Sequence, residues 1–200
     1  MEIFFPHITV PKWVQCVESR DLWKFDVEGT RELSSFLFYN KKFTVDSWYD
    51  TLQLSVALGK YENYIDSPLQ TQKLIIETGK IMLQVQDTIV GQKTNVQYTK
   101  KIIFLGLNAI VINATEFMSE IGHTILEKNP DCHLAIIWRA DHMKNIFCFS
   151  LRSREFQGLR VNCFEIAKIF GGGGHRPAAG FNLPMTTNLE EFLILNEKEK

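Results

Sequence analysis

Four consecutive glycines stand near the end of this 200-residue chain, in the stretch FGGGGHRPAAGF from Phe170 to Phe181. A glycine inside regular structure costs roughly 0.5–1 kcal/mol relative to alanine, and an ordinary loop more often uses Asn, Ser or Asp. A run of four glycines therefore indicates a place where the backbone turns sharply, or where another group approaches the backbone closely.

The run follows a predicted short helix, Val161 to Phe170, and precedes a predicted strand, Ala178 to Leu183. One glycine explains the end of the helix, because glycine readily adopts the positive φ of a helix C-cap. The other three favour a concave backbone whose amides converge on phosphate oxygens. A purely structural turn is the alternative, since the helix C-terminus carries partial negative charge that opposes an anion.

Cationic side chains are concentrated around this run. The segment from Ser150 to Arg176 has a local charge of +3, whereas the whole chain has a net charge of -1. The fork of an arginine suits a phosphate or a carboxylate, and His175 can donate a hydrogen bond to a bound anion. The residues of this segment therefore favour an anion site over a purely structural turn.

The two halves of the chain differ in their apolar period. Residues 1–94 show helical spacing, near residues 10–17, 33–37 and 48–56 and most clearly from Pro68 to Val90, where Ser67 suits an N-cap. Residues 95–200 predict strands at 98–105, 107–113, 132–139 and 146–152, with a helix at 115–128. We therefore predict an α/β fold (α+β overall): a helical connector over 1–94, and a small mixed-sheet domain over 95–200 with the glycine loop at one edge.

The composition, 45% hydrophobic and 22% charged, is typical of a globular protein. The apolar runs are far shorter than the ~20 residues of a membrane-spanning helix, so we expect a soluble, cytoplasmic protein without a membrane partner. The nearly neutral charge argues against coating of long nucleic acid by charge alone but allows a small anionic ligand.

No pair of cysteines has C-x-x-C spacing, and we expect buried free thiols at Cys16, Cys132, Cys148 and Cys163.

The stretch GGGGHRPAAGF resembles the glycine-histidine signature, GGGH followed by AAGF, of the C-terminal domain associated with DHH phosphoesterases. The preceding FSLRS, Phe149 to Ser153, resembles the strand that comes before this signature. The superfamily contains single-strand exonucleases, oligoribonucleases and cyclic-dinucleotide phosphodiesterases. The resemblance implies a domain that grips the phosphate of a nucleotide. The implied contacts are Ser150, Arg152, Gly172, Gly173, Gly174 and His175.

The segment VESRDLWKF, Val17 to Phe25, resembles the start of the helical connection after the catalytic domain in bacterial relatives. Asp21 falls where the last metal-binding aspartate of the family lies, which implies a manganese ligand; an ordinary helix or turn carboxylate is the alternative. The rest of the catalytic domain has no counterpart here, because the only Asp-His pair, Asp141-His142, is predicted to form a hairpin turn. One aspartate cannot hold two metals, so we expect no cofactor in this chain alone, and manganese only with a complementing DHH half.

Two classes of function fit these residues. The chain is either the nucleotide-gripping half of a DHH-type phosphoesterase that acts on short oligonucleotides or (cyclic) dinucleotides, or a stand-alone module that sequesters or senses small nucleotides. In the first case we expect the chain to be inactive alone and to act with a separate DHH catalytic half. A non-catalytic interaction remnant is the third alternative.

Overall fold

The computed structural model describes residues 10, 12–39, 68–156 and 158–194. The contacts divide the chain into two compact units, one ending at Asp87 and the other beginning at Thr88. The helix predicted near residues 48–56 lies outside the described residues. The predicted fold class is confirmed, since helices come first and a mixed sheet with further helices follows.

The first unit contains two short helices, α1 (Lys12–Asp21) and α2 (Thr30–Tyr39), and most of a long helix, α3 (Pro68–Lys93). Helix α3 begins at Pro68, as predicted, and continues three residues beyond Val90. Gly79 stands in the middle of α3, where glycine is a poor helix former. A Cβ atom at this position would lie 2.1 Å from the carbonyl oxygen of Glu32, so the close approach of α2 explains the glycine.

The second unit is a six-stranded sheet in the order β1-β2-β3-β4-β8-β7. Only β2 and β3 pair in parallel, because α4 (Met118–Lys128) connects them as a crossover helix. The predicted hairpin at Asp141-His142 is confirmed by the antiparallel pairing of β3 with β4. The strands are β1 (Thr99–Phe104), β2 (Leu107–Asn113), β3 (Leu134–Asp141), β4 (Ile146–Ser153), β7 (Gly173–His175) and β8 (Ala178–Pro184).

Five smaller elements also belong to the described part of the second unit. A 3-10 helix, Val96–Tyr98, precedes the sheet, and α5 (Cys163–Ile169) leads into the glycine run. Strands β5 (Glu155–Phe156) and β6 (Leu159–Arg160) form a separate two-stranded sheet between β4 and α5. Helix α6 (Leu189–Ile194) follows β8. The division between the two units falls inside α3, and the predicted domain boundary between residues 94 and 95 stays a prediction.

Alternate residues of the strands build two apolar layers, because successive side chains of a strand point to opposite faces. On the face covered by α5 and α6, called the α5 face here, Phe181 stacks on Phe149 and Phe170 with ring centroids 4.7 and 4.6 Å apart. On the opposite, α4 face, Ile137 packs with Ile121 of α4. The core of the second unit thus lies on both faces of the central strands.

All four cysteines are free thiols, and three of them, Cys16, Cys132 and Cys163, are buried as predicted. Cys148 differs, because it is half-buried. Burial raises the pKa of the Cys132 and Cys163 thiols above the ordinary value. Across the parts of the chain that the structure describes, no helix combines the length and the apolar character needed to cross a bilayer.

Candidate functional site

Three neighbouring strands, β4, β8 and β7, bring four of the six predicted phosphate contacts onto the α4 face. Residues directly opposite each other in antiparallel strands point to the same face. The face is identified by β3, because Ala135 and Ile137 pack under α4 and lie opposite residues of β4. Two rows cross the strands on this face: Ser150, Gly180 and Gly173 form one, and Arg152, Ala178 and His175 form the other.

Arg152 and His175 are separated by a single intervening strand. Two strand spacings place their Cα atoms about 10 Å apart, although 23 positions separate them in the sequence. The intervening residue is Ala178, and its neighbour in the other row is Gly180, so small side chains form the floor of a shallow trough. Helix α4 packs over β3 and β4, and His175 of β7 is exposed.

The four glycines are present for different structural reasons. Gly171 has a positive φ of 73° and Gly174 one of 142°. A Cβ atom on Gly172 would lie 2.2 Å from a carbonyl oxygen of β8, and one on Gly174 would lie 2.5 Å from a Cα atom of the same strand. At Gly173 a Cβ atom would meet nothing within 4 Å, and the backbone has no positive φ. The fold therefore explains three of the glycines and leaves Gly173 unexplained.

The expectation of a phosphate nest is wrong for the first two glycine amides. The amide of Gly171 donates to the carbonyl of Lys168 (3.1 Å), and that of Gly172 donates to Ala167 (2.8 Å), so both amides close the C-terminus of α5. The rest of the run is a strand rather than a loop, because the missing Cβ atoms let β7 approach β8. As an edge strand, β7 directs alternate backbone groups away from β8, and these groups replace the nest as candidate phosphate donors.

Arg152 and Ser150 both contact the start of α4. Nη2 of Arg152 donates to Oγ of Ser119 (3.0 Å), while Nη1 donates to the carbonyl of Leu151 (2.8 Å). Gly122 makes room for this side chain, since a Cβ atom there would lie 2.6 Å from Cγ of Arg152. Oγ of Ser150 lies 3.2 Å from Sδ of Met118. Arg152 therefore has a structural function in joining β4 to α4, whatever else it binds.

A polar groove of about 370 Å³ lies beside the trough on the same face. Of the predicted contacts, only Ser150 and Gly172 are among its lining residues. Sequence reasoning did not place the other polar lining residues in a binding site, because their common position depends on the pairing of β3, β4 and β8. These residues are Arg139, Asp141, Lys144, Cys148 and Asn182.

The residues that the structure describes do not assemble a manganese site around Asp21. This residue ends α1 and is exposed. Within residues 10, 12–39, 68–156 and 158–194, no group of three His, Cys, Asp or Glu side chains is placed to hold a metal ion. The described residues thus do not fit the metal centre that the resemblance implies, and the role of Asp21 as a ligand stays a prediction.

No protein-family model matches the sequence. An uncharacterized protein of Acanthamoeba polyphaga mimivirus is 30% identical over 182 residues, which cover 90% of this chain and 38% of that protein. An uncharacterized protein of Methanocaldococcus jannaschii is 26% identical over 188 residues, which cover 89% of this chain and 35% of that protein. The chain therefore spans little more than a third of the length of these curated relatives.

Two solved structures align with most of this chain. The DHH domain of a protein described as a member of a family of ribosomal proteins aligns with 92% of this chain and 45% of its own, at a TM-score of 0.51 and 15% identity. A pGpG-specific phosphodiesterase from Vibrio cholerae aligns with 90% of this chain and 62% of its own, at a TM-score of 0.44 and 20% identity. The first of these shows that the chain shares its fold with a DHH-domain protein.

Proposed function

We propose that the α4 face of β4, β8 and β7 binds the phosphate of a short oligonucleotide or a (cyclic) dinucleotide. The main observation behind the proposal is Gly173. Neither its backbone conformation nor a neighbouring atom requires a glycine at this position. It shares this face with Ser150, Arg152 and His175. A ligand that approaches the backbone closely explains a glycine at this position.

Each residue of the trough has a separate role in this proposal. His175 lies exposed at the sheet edge and donates a hydrogen bond that becomes charge-assisted when the imidazole is protonated. The hydroxyl of Ser150 is a second donor from the floor of the site. Arg152 contributes positive charge, and its bond to Ser119 fixes the orientation of the guanidinium. The small side chains of β8 leave room for the phosphate between them.

The proposed chemistry ends at binding. These side chains and backbone amides can position a phosphate, but hydrolysis also requires an activated water, which DHH phosphoesterases generate on paired metals. We propose that the chain is the nucleotide-binding half of a DHH-type phosphoesterase, and that a separate DHH half supplies manganese and the attacking water. With manganese alone, the purified chain should hydrolyse neither short oligonucleotides nor a generic phosphodiester.

Calorimetry at low salt tests the binding. We expect heat from at least one ligand in a panel of nucleoside monophosphates, 5′-phosphorylated di- and trinucleotides and cyclic dinucleotides. His175→Ala should weaken this binding about tenfold or more, because a hydrogen bond to a charged group is worth roughly 1.5–3 kcal/mol. His123→Ala is the matched control, since His123 is also exposed but pairs with Glu127 on α4. Absence of heat from every ligand would remove the proposal and favour an interaction remnant.

A stand-alone module that sequesters or senses nucleotides is the second candidate. It is favoured by the residues that share the α4 face, Ser150, Arg152, Gly173 and His175, because these can hold a phosphate without a catalytic partner. Adding a separately expressed DHH catalytic half distinguishes the two candidates. Manganese-dependent cleavage on addition supports the half-enzyme, while binding without cleavage supports the sensor.

A further inference from the structure

The first strand, β1, is an open edge of the six-stranded sheet. In the described part of the chain it stands at one end of the strand order and pairs only with β2. The strand at the other end, β7, has three residues, whereas β1 has six. The register of β1 with β2 runs without interruption from Thr99 to Phe104. Another strand can pair with an open edge of this length, and natural sheets usually protect such edges.

The turn after β1 determines which backbone groups of this strand face the open edge. Leu105 and Gly106 connect β1 to β2, and both have a positive φ, 49° and 75°, as a type I′ turn requires. In such a turn the flanking residues, Phe104 and Leu107, are hydrogen-bonded to each other. Because the hydrogen-bonding groups of successive residues alternate in direction along a strand, the N–H and C=O groups of the odd-numbered residues of β1 are directed away from β2.

The side chains along this edge are largely apolar. Ile103 is 38% exposed, Leu105 41% and Tyr98 58%. The charge of one edge lysine, Lys101, is balanced, because its Nζ lies 2.8 Å from each carboxylate oxygen of Asp131. Unbalanced lysines are a common protection of edge strands, so this protection is reduced at β1.

A second copy of β1 fits this edge in one antiparallel register. The pairing has to bring outward-facing residues opposite each other, and a twofold axis at Ile102 does so by placing Lys101 of one copy opposite Ile103 of the other. An axis at Lys101 would bring the two Lys101 side chains directly opposite each other, which is unfavourable. An axis at Ile103 would bring Lys101 opposite Leu105, which belongs to the turn.

The same axis also matches the side chains on the α5 face. It places Ile102 opposite its own copy and Lys100 opposite Phe104. Ile102 and Phe104 belong to the apolar layer of this face, and the aliphatic part of a lysine packs well on apolar surface. The apolar layers of the two copies therefore become continuous across the axis.

We infer that the chain forms a homodimer in which two copies of β1 pair antiparallel about Ile102 and join the two sheets into one. A twofold axis is the usual symmetry of such an assembly. The net charge of -1 is small enough that two copies repel each other little. Strand β7 stays free at each end of the joined sheet, so both copies keep an accessible trough.

Sedimentation equilibrium over a concentration series tests the association. We expect a reversible dimer with a dissociation constant on the order of 10 μM, because one strand from each copy makes a small interface. Ile103→Lys should weaken the dimer roughly tenfold or more, since it places like charges opposite Lys101 at two symmetric positions. Ile81→Lys is the matched control, because Ile81 of α3 is 65% exposed and lies outside this edge; the association should not change.

Disulfide crosslinking with oxidised glutathione tests the register, in a Cys148→Ser background that removes the half-buried thiol. Residues at the axis have Cα atoms about 4.5–5.5 Å apart, which suits a disulfide, and a cavity of about 310 Å³ adjoins Ile102. Ile102→Cys should therefore link two copies. In Ile103→Cys the two Cα atoms are offset by two residues and lie more than about 7 Å apart, too far for a disulfide. Exposure alone predicts the reverse order, because Ile102 is only 4% exposed.

The outcomes that would overturn the inference are distinct. A chain that stays monomeric up to about 1 mM would exclude the dimer. A dimer that is unaffected by Ile103→Lys, or that is lost in a folded Ile81→Lys protein, would place the contact elsewhere. Crosslinking of Ile103→Cys in preference to Ile102→Cys would exclude the axis at Ile102. Circular dichroism shows that each variant is folded, and Ile103→Lys, at a partly exposed site, decides the result if Ile102→Cys does not fold.

Discussion

The two faces of the β8–β7 edge show how neighbouring residues of one strand take opposite roles. On the α5 face, Phe181 stacks within an aromatic core, and Gly174 of β7 leaves no space for a Cβ atom. On the α4 face, Gly173 and Ala178 lie along an open trough. Since side chains alternate between faces, a run of identical glycines divides between a structural surface and the surface that we propose binds a ligand.

The largest expected effect is on the α5 face. Phe181→Ala should lower the free energy of unfolding by about 3–5 kcal/mol, because Phe181 is only 3% exposed and packs against three aromatic rings. Urea denaturation measures the change. Val96→Ala, at a site 87% exposed, should change stability little. A loss for Phe181→Ala as small as that of the control would contradict the packing described for this face.

The next largest effect is on a structural glycine. Gly174→Ala should lower the free energy of unfolding by about 1–3 kcal/mol, because it combines a strained φ with overpacking against β8. Thermal unfolding followed by circular dichroism measures this loss. If the variant were as stable as the unmodified chain, the close approach of β7 to β8 would not explain the glycine.

Two cysteines on opposite faces should differ in the rate at which a thiol reagent modifies them. Cys163 lies in the core of the α5 face, and burial raises the pKa of its thiol, which reduces the reactive thiolate. Cys148 lines the groove on the α4 face. Iodoacetamide at pH 8 should therefore modify Cys148 much faster, and a bound dinucleotide should slow that reaction. Mass spectrometry of the labelled peptides shows the order, and equal rates would mean that the two faces do not differ in access.

The order of the longer helices and strands was predictable because each of them has a strong local signal, whereas the short strands β5, β6 and β7 and helix α6 were not predicted. The α3 start at Pro68 and the strand Leu107–Asn113 are examples. The site was predictable only in part. The glycine-histidine stretch indicated an anion site, but not that β7 is a strand, since that depends on contact with β8. Arg139 was missed because only the pairing of β3 with β4 shows that it shares a face with Ser150.

The smallest expected effect is at the opposite edge of the sheet, where Lys101 pairs with Asp131 at 2.8 Å. This hydrogen bond lowers the pKa of Asp131 and raises the pKa of Lys101. The pair therefore stabilises the fold above the ordinary aspartate pKa of 3.8, and this contribution disappears as the pH falls through the lowered pKa. Asp131→Asn should reduce the melting temperature slightly at pH 7 and not at pH 2. A difference that persisted in acid would exclude the ion pair as its cause.

Gly173→Val tests most directly whether the α4 face of this edge binds a ligand rather than only completing the sheet. Nothing lies within 4 Å of the added Cβ atom, and valine suits a strand, so the melting temperature should stay within about 2 °C of that of the unmodified chain. Binding of the 5′-phosphorylated dinucleotide should be lost in calorimetry. Gly91→Val, at a glycine of α3 that is equally open, should keep both properties. A Gly173→Val protein that binds the dinucleotide with unchanged affinity would contradict the account.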